Sequence, residues 1–357
     1  MKSIFKITVL FFLIPLISVA NTKPRHEKSK TIKKEYTVSK DATVAISNKY
    51  GAINITTWNK NRVEITVKIT VKGNNPSRVE KKLRTIYVDF EGNSNRVSAK
   101  TKFERGSSSW SFWGKNNNTS YQIDYTIKMP VSNNVKLSND YGSILLNELD
   151  GAADINCDYG KLIIGDLNNT SNNINIDYCK SSTINFMKRG SVNADYSKLT
   201  IDKTDDAKVN ADYSNITIEA VNNVNFNADY GNITVNDVKD IKGNTDYVTI
   251  RLGTVSKNLH LNADYGSIKI KELANGFERA EISSEYTGIN IGVKPSSNFN
   301  FMIDLQYASF RYDDAKVDMR KSIRNSTKKY YEGTYGNSKN NSKLIIKSQY
   351  GSVRIKE

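Results

Sequence analysis

Histidine and cysteine are nearly missing from this 357-residue chain, which holds two of each: His26 and His260, Cys157 and Cys179. A Ser-His-Asp arrangement or a histidine zinc site is hard to assemble from so few imidazoles, and no cysteine pair has metal-ligand spacing. No glycine-rich phosphate loop is present. Long apolar runs are scarce too, and beyond the N-terminus none could cross a bilayer.

The one sustained apolar run, Ile7 to Ile17, follows Lys2 and Lys6 and precedes Ser18-Val19-Ala20, small residues of the kind a signal peptidase cuts after. It is too short for a comfortable membrane span, and no cysteine stands at the cut to carry a lipid. Residues 1–20 read as a signal peptide. The mature chain is expected to start at Asn21 and to be exported to the periplasm, cell surface or medium.

The net charge of +15 is unevenly spread. Residues 21–130 hold 22 Lys/Arg against 9 Asp/Glu, residues 131–270 hold 13 against 18, and residues 271–357 hold 15 against 10. A nucleic-acid binder would run its basic stripe along its main face, whereas here the middle is mildly acidic and only the ends are basic. This argues against nucleic acid and suits an anionic polysaccharide, lipopolysaccharide or a solvated surface.

What the chain has in abundance is one phrase, clearest at Phe226-Asn227-Ala228-Asp229-Tyr230-Gly231-Asn232-Ile233-Thr234-Val235. It recurs around Tyr141, Tyr159, Tyr178, Tyr196, Tyr213, Tyr230, Tyr247, Tyr265, Tyr286 and Tyr307, at intervals of 17 to 21 residues. Four residues before the tyrosine stands an apolar side chain such as Ile155, Ile174 or Val209. Two before it the residue is small or apolar (Cys157, Ala194, Ala228), with asparagine and aspartate between. Alternation with period two marks a strand with one buried face. After the tyrosine a Gly or Ser often follows and the phase shifts, with apolar residues three, five and eight positions on (Ile233, Val235, Val238). Each copy is thus two or three short strands, which only stacking can bury. The expected fold is all-β: a parallel β-helix, or β-solenoid, of coils of about 17–21 residues, with an N-terminal β-rich cap containing one short helix.

Parity places the tyrosines with the buried positions, so they read as a stacked aromatic ladder in the core or at its corner, a surface stripe being the other reading. The same parity puts Cys157 and Cys179 on opposite faces of neighbouring coils. Their offset of three residues is about 10 Å, too far for a disulfide.

The domain plan is a basic tether (21–34), a β-rich capping region (35–130), solenoid repeats (131–312), a basic loop insertion (313–341) and final solenoid strands (342–357). The cap contains an outlying copy, Ile46 to Ile55, with lysine in place of aspartate. It also contains a helix over Ser77 to Ile86, with Val79 and Leu83 four apart and Glu80 ahead of Arg84.

Two groups of residues are candidates for binding. Aspartate precedes the tyrosine at Asp140, Asp158 and Asp177 and then at Asp195, Asp212, Asp229, Asp246 and Asp264. In register these carboxylates stack about 4.8 Å apart. Each either accepts backbone N–H groups at the Tyr-Gly corner, or joins its neighbours in a Ca²⁺ column, or serves with Lys or Arg in a polysaccharide lyase or hydrolase. The second group is Trp110, Phe112 and Trp113 in a Gly/Ser/Asn stretch, either a lid over the solenoid end or an aromatic platform for sugars or a membrane surface.

The Tyr-Gly-x-Ile-x-Ile copies, the Trp58-to-Ile65 segment and Tyr125-Thr-Ile-Lys-Met-Pro130 together resemble the bacterial putative-adhesin family of exported β-helix proteins, common in Bacteroidetes-like bacteria. The resemblance runs from about Ile32 to Ile355. It implies a fold and an extracytoplasmic role but no catalytic residues and no cofactor. The Trp/Phe stretch and the basic insertion depart from it. Together these readings point to a non-enzymatic exported adhesin or envelope surface-binding protein. The alternatives are a carbohydrate-active β-helix enzyme and a structural envelope component. The expected partner is a polysaccharide or other cell-surface component, Ca²⁺ is the only cofactor considered, and oligomeric state is open. Expression in a secreting bacterium followed by N-terminal sequencing is expected to give a mature chain beginning Asn21-Thr22-Lys23; an intact Met1 in the exported fraction would refute the signal reading.

Overall fold

The computed structural model describes residues 25–104, 119–337 and 341–357, and within them the chain is all-β with one α-helix, Pro76–Thr85. Its strands join in a single sheet of 24 strands, most of them paired copy to copy in parallel. Ala153–Asp158 lies between Asn134–Asp140 and Asn172–Asp177, with Leu137, Ile155 and Ile174 in line. Val192, Val209 and Phe226 continue that row. The strand after each tyrosine forms a second ladder, as where Leu199 pairs with Ile216 and Ile250 with Ile268. Like residues therefore sit on like, and the inward rows merge into one core from Val38 to Ile355. None of the described helices is long and apolar enough to cross a membrane.

The corner between the two ladders explains the phase shift. All twelve tyrosines of the copies, from Tyr50 to Tyr350, have φ between 48° and 65°. This left-handed conformation costs a non-glycine residue roughly 1–2 kcal/mol. It swings the tyrosine outward, so eleven of them are 44–54% exposed. Parity fails here: the ladder is at the corner, as one branch of the expectation had it, but on the surface and not in the core. The same turn brings the next residue inward, so Cys179 points into the core beside Cys157 and donates to its carbonyl oxygen at 3.0 Å. The two cysteines are both buried and free, not on opposite faces.

That next position approaches the backbone of the neighbouring copy. A Cβ on Gly142 would lie 1.8 Å from the Gly51 oxygen, and one on Gly160 would lie 1.9 Å from the Gly142 oxygen. Where the residue is a serine, its side chain bridges copies: Ser214 Oγ accepts from Ser197 N at 2.9 Å and donates to the Ala194 oxygen at 2.9 Å. Thr287 does likewise for Gly266 and Ala263. The aspartate was expected to serve its own corner. Where its backbone bonds are seen they reach the next copy, as Asp264 Oδ1 accepts from Glu285 N at 2.9 Å.

Both ends depart from chain order. The outlying first copy, Thr43–Lys49, stacks directly on Asn134–Asp140, while Arg96–Phe103 and Thr119–Pro130 lie beyond it. At the other end Lys343–Gln349 inserts between Arg279–Glu285 and Phe299–Gln306, so the last copy in sequence is not the last in space. Two segments of the domain plan need correction. The expected tether contributes most of the strand His26–Thr37, antiparallel to Arg62–Gly73, because Ile32 and Tyr36 pack against the core. Its lysines then face outward on the final edge, where they disfavour pairing with another chain. The expected loop insertion is a hairpin, Val317–Arg324 with Lys328–Tyr335, which buries Tyr331 and Tyr335 over the last copy. The helix sits where expected. Asn75 caps it by accepting from Arg78 N at 3.1 Å, and Val79 is buried.

The corner strain and the ring stacking can be separated by substitution. Tyr213→Ala keeps the left-handed strain and loses two stacking contacts, and is expected to destabilise by about 1–3 kcal/mol. Tyr213→Gly loses the same contacts without the strain and should fall short of that by about 1 kcal/mol. Urea unfolding of both variants checks the order, and an alanine variant more stable than the glycine one would refute it.

Candidate functional site

Three rows of side chains run along the stacking axis, because each copy repeats the same offsets from its corner. The first is the tyrosine ladder. Ring centroids of adjacent copies are 4.7–5.2 Å apart with interplanar angles of 1–12°. The spatial order is Tyr50, Tyr141, Tyr159 and onward to Tyr286, then Tyr350, then Tyr307. Eleven steps of about 4.8 Å make a strip roughly 50 Å long. Ring faces cover one another, so the strip offers ring edges and hydroxyls. At the Tyr50 end Tyr121 meets the stack edge-on at 5.0 Å, and Lys82 of the helix lies 4.8 Å over the Tyr121 ring. Desolvation, and behind it the neighbouring phenols, pushes the Tyr159, Tyr230 and Tyr265 hydroxyls above their ordinary value.

One residue before the ladder lies the aspartate row. Asp140, Asp158, Asp177, Asp195, Asp212 and Asp229 are direct cross-strand partners in that order. Lys49 closes one end on Asp140 at 2.7 Å, and Glu285 and Gln349 continue the row past Asp264. Burial, then the neighbouring carboxylates, raises the Asp158, Asp195 and Asp246 carboxyls. Parallel register sets these side chains side by side, all facing outward, so they do not converge. Among the described residues no three His, Cys, Asp or Glu side chains gather closely enough to hold a metal ion.

Three residues before the tyrosines, asparagines form an amide ladder. Asn175 donates to Asn156 at 2.8 Å, Asn193 to Asn175 at 2.7 Å, and the chain continues through Asn210, Asn227 and Asn244 to Asn262. Each amide donates to one neighbour and accepts from the other, a satisfaction that only an in-register stack allows.

Farther along the same strands, five to eight residues before the tyrosines, a trough of about 1090 Å³ runs across ten copies. Sequence reasoning missed it. Its wall residues, among them Arg189, Asp206, Asn223 and Lys208, align once the copies are in register, but concavity leaves no mark in a linear pattern. At one end His260 lies 3.3 Å from Glu281, which also accepts from Arg279. Of the residues expected to bind, Asp195, Asp212, Asp229, Asp246 and Asp264 lie in the aspartate row. Trp110, Phe112 and Trp113 fall outside the described residues.

No family model matches the chain, and no curated protein matches it. Among solved structures it is similar to a putative cell adhesion protein from Clostridium sporogenes, with 10% identity, 92% of this chain and 99% of that one covered, and a TM-score of 0.18. It is similar to a putative adhesin from Bacteroides fragilis, with 10% identity, coverage of 92% and 97%, and a TM-score of 0.32. A putative lipid binding protein from Parabacteroides distasonis matches at 13% identity, coverage of 92% and 97%, and a TM-score of 0.25. The first two names agree with the resemblance read from the sequence.

The aspartate row has a definite consequence for pH. Folding raises the Asp158, Asp195 and Asp246 carboxyls above their ordinary values, so at these positions the folded state holds protons more tightly than the unfolded chain. Their contribution to stability falls as pH rises through the raised values and returns on acidification toward the ordinary carboxylate range. Asp195→Asn/Asp246→Asn is expected to raise the melting temperature at neutral pH by about 1–3 °C and to flatten its rise in weak acid. A variant that melts lower than the parent at neutral pH would refute this. Adding Ca²⁺ to both tests the column reading: a gain in the parent that is absent from the variant would mark a cation site.

Proposed function

We propose that the chain is an exported, non-enzymatic β-solenoid, its copies closing into a parallel β-helix, that binds a polysaccharide or other cell-surface component outside the cytoplasm. The observation that carries this reading is the unbroken repetition along the axis, twelve tyrosine rungs in one orientation beside matching aspartate and asparagine rows. Catalysis needs a few unlike groups at one place, whereas an extended ligand gains from many like contacts in line. Export is supported by Lys2 and Lys6 ahead of the Ile7–Ile17 run. The closed solenoid is supported by the match between the 17–21-residue interval and the parallel register. Trp110, Phe112 and Trp113 are a further contact point in this proposal.

A second reading has one observation in its favour. The His260–Glu281–Arg279 cluster breaks the repeat within the trough, and a polysaccharide lyase or hydrolase would use such an odd rung. One assay separates the two. Mature protein, residues 21–357, is incubated with bacterial envelope preparations and a polysaccharide panel, and bound protein is scored together with new reducing or unsaturated ends. Retention without new ends, unchanged in His260→Ala, is the expected result. Turnover that His260→Ala abolishes would replace the binding reading with the enzymatic one, and no retention on any surface would leave it unsupported.

A further inference from the structure

The trough beside the ladder is a binding site of a different shape from the convex tyrosine strip. It is concave and continuous across ten copies, from Thr43 to Glu281, so at about 4.8 Å per copy it is roughly 40 Å long. Its floor is the backbone of the row six before the tyrosine, whose side chains, such as Ala153, Ala207 and Val224, are buried in the core. Its walls are the flanking rows, whose outward side chains are amides and charges. Resting on the surface-binding reading, we propose that this trough binds a single extended strand of a neutral polysaccharide lying along the stacking axis.

The occupant follows from what the walls present. Five Lys and Arg side chains face four Asp and Glu, a surplus of one positive charge over the whole trough, which is little for a polyanion. Most of these charges are already matched within the walls: Lys136 with Asp154 at 3.4 Å, Arg189 with Asp206 at 3.1 Å, and Arg279 and His260 with Glu281. An acyl chain would strip water from amides and ion pairs and return no hydrogen bonds, leaving those groups unpaired. An extended peptide would need a free strand edge, and the floor strands of the central copies are paired on both sides. A neutral glycan needs none of these. Its hydroxyls both donate and accept, as the six trough asparagines do, and Asn223 and Asn258 are already oriented by Asp206 and Asp240 at 2.7 Å. The trough keeps the step of the copies, so one chain meets polar wall groups at every step, though not the same ones.

The test is isothermal titration and affinity electrophoresis of the mature protein with soluble unbranched glucan, mannan and xylan, and with polygalacturonate as the polyanion. Three variants run alongside. Asn223→Trp/Asn225→Trp fills the trough from exposed wall positions, Tyr213→Ser/Tyr230→Ser alters the ladder, and Trp110→Ala/Trp113→Ala alters the aromatic stretch. Each is first checked for the parent's circular dichroism spectrum and cooperative melting. Binding of at least one neutral glycan is expected, insensitive to added salt, weakened about tenfold or more by the trough variant and changed less than about threefold by the other two. Preference for polygalacturonate with steep salt dependence would overturn the neutral-chain assignment. Neutral-glycan binding that survives the trough variant but fails in the ladder or Trp variant would overturn the site while the surface-binding reading stands. Envelope retention with no binding to any neutral glycan would overturn the inference alone, and loss of both would remove the reading beneath it.

Discussion

A left-handed tyrosine at every corner is the constraint on which the molecule depends. It reverses side-chain parity, turns the chain from one ladder into the next, and sends the following residue inward against the neighbouring copy. Twelve such residues would be costly in isolation. Stacked at 4.7–5.2 Å, each interior ring gains two aromatic contacts of about 0.5–1.5 kcal/mol, which is of the size of the strain. The strain is therefore tolerable only in the stack. This makes the copies interdependent and explains why Gly, Ser, Thr or Cys so often follows the tyrosine: there the inward position either leaves room for a carbonyl or hydrogen-bonds to one.

Register then distributes chemistry by row, and similar rows have different energetics. In the asparagine row each side chain satisfies the next, because an amide is both donor and acceptor. In the aspartate row the side chains are acceptors only: burial, and behind it the neighbouring carboxylates, raises Asp158, Asp195 and Asp246, with Lys49 and one or two backbone N–H groups as partial relief along the row. In the trough walls the copies differ from one another, and cation, carboxylate and amide alternate so that most charges find partners. An identical repeat suits an amide, strains a carboxylate and rules out ion pairing. Only a row that varies can neutralise itself.

The ends are solved by different means. At the N-terminal side three antiparallel strands and the helix close the stack, with lysines on the last edge and Lys82 over the aromatic cluster that terminates the ladder. At the C-terminal side the hairpin Val317–Tyr335 covers the outermost copy, and the chain returns to insert its final copy one place inward. At both ends the outermost strand, His26–Thr37 or Val317–Arg324, carries exposed basic side chains that disfavour pairing with another chain.

Much of the architecture was legible in the amino-acid order. Period-two alternation and the 17–21-residue interval determined an all-β stack, and Asn75-Pro76 with Val79 and Leu83 marked the helix. Aspartate and asparagine at constant offsets determined that carboxylates and amides would form rows. The tertiary structure alone decided which way the tyrosines and Cys179 face, since that turns on one left-handed φ per copy that alternation cannot register. It also decided that Tyr350 lies between Tyr286 and Tyr307, because strand pairing depends on which edge is free and not on chain order. The same holds for the trough: its wall residues vary from copy to copy, and they line one concave surface only once the strands are in register.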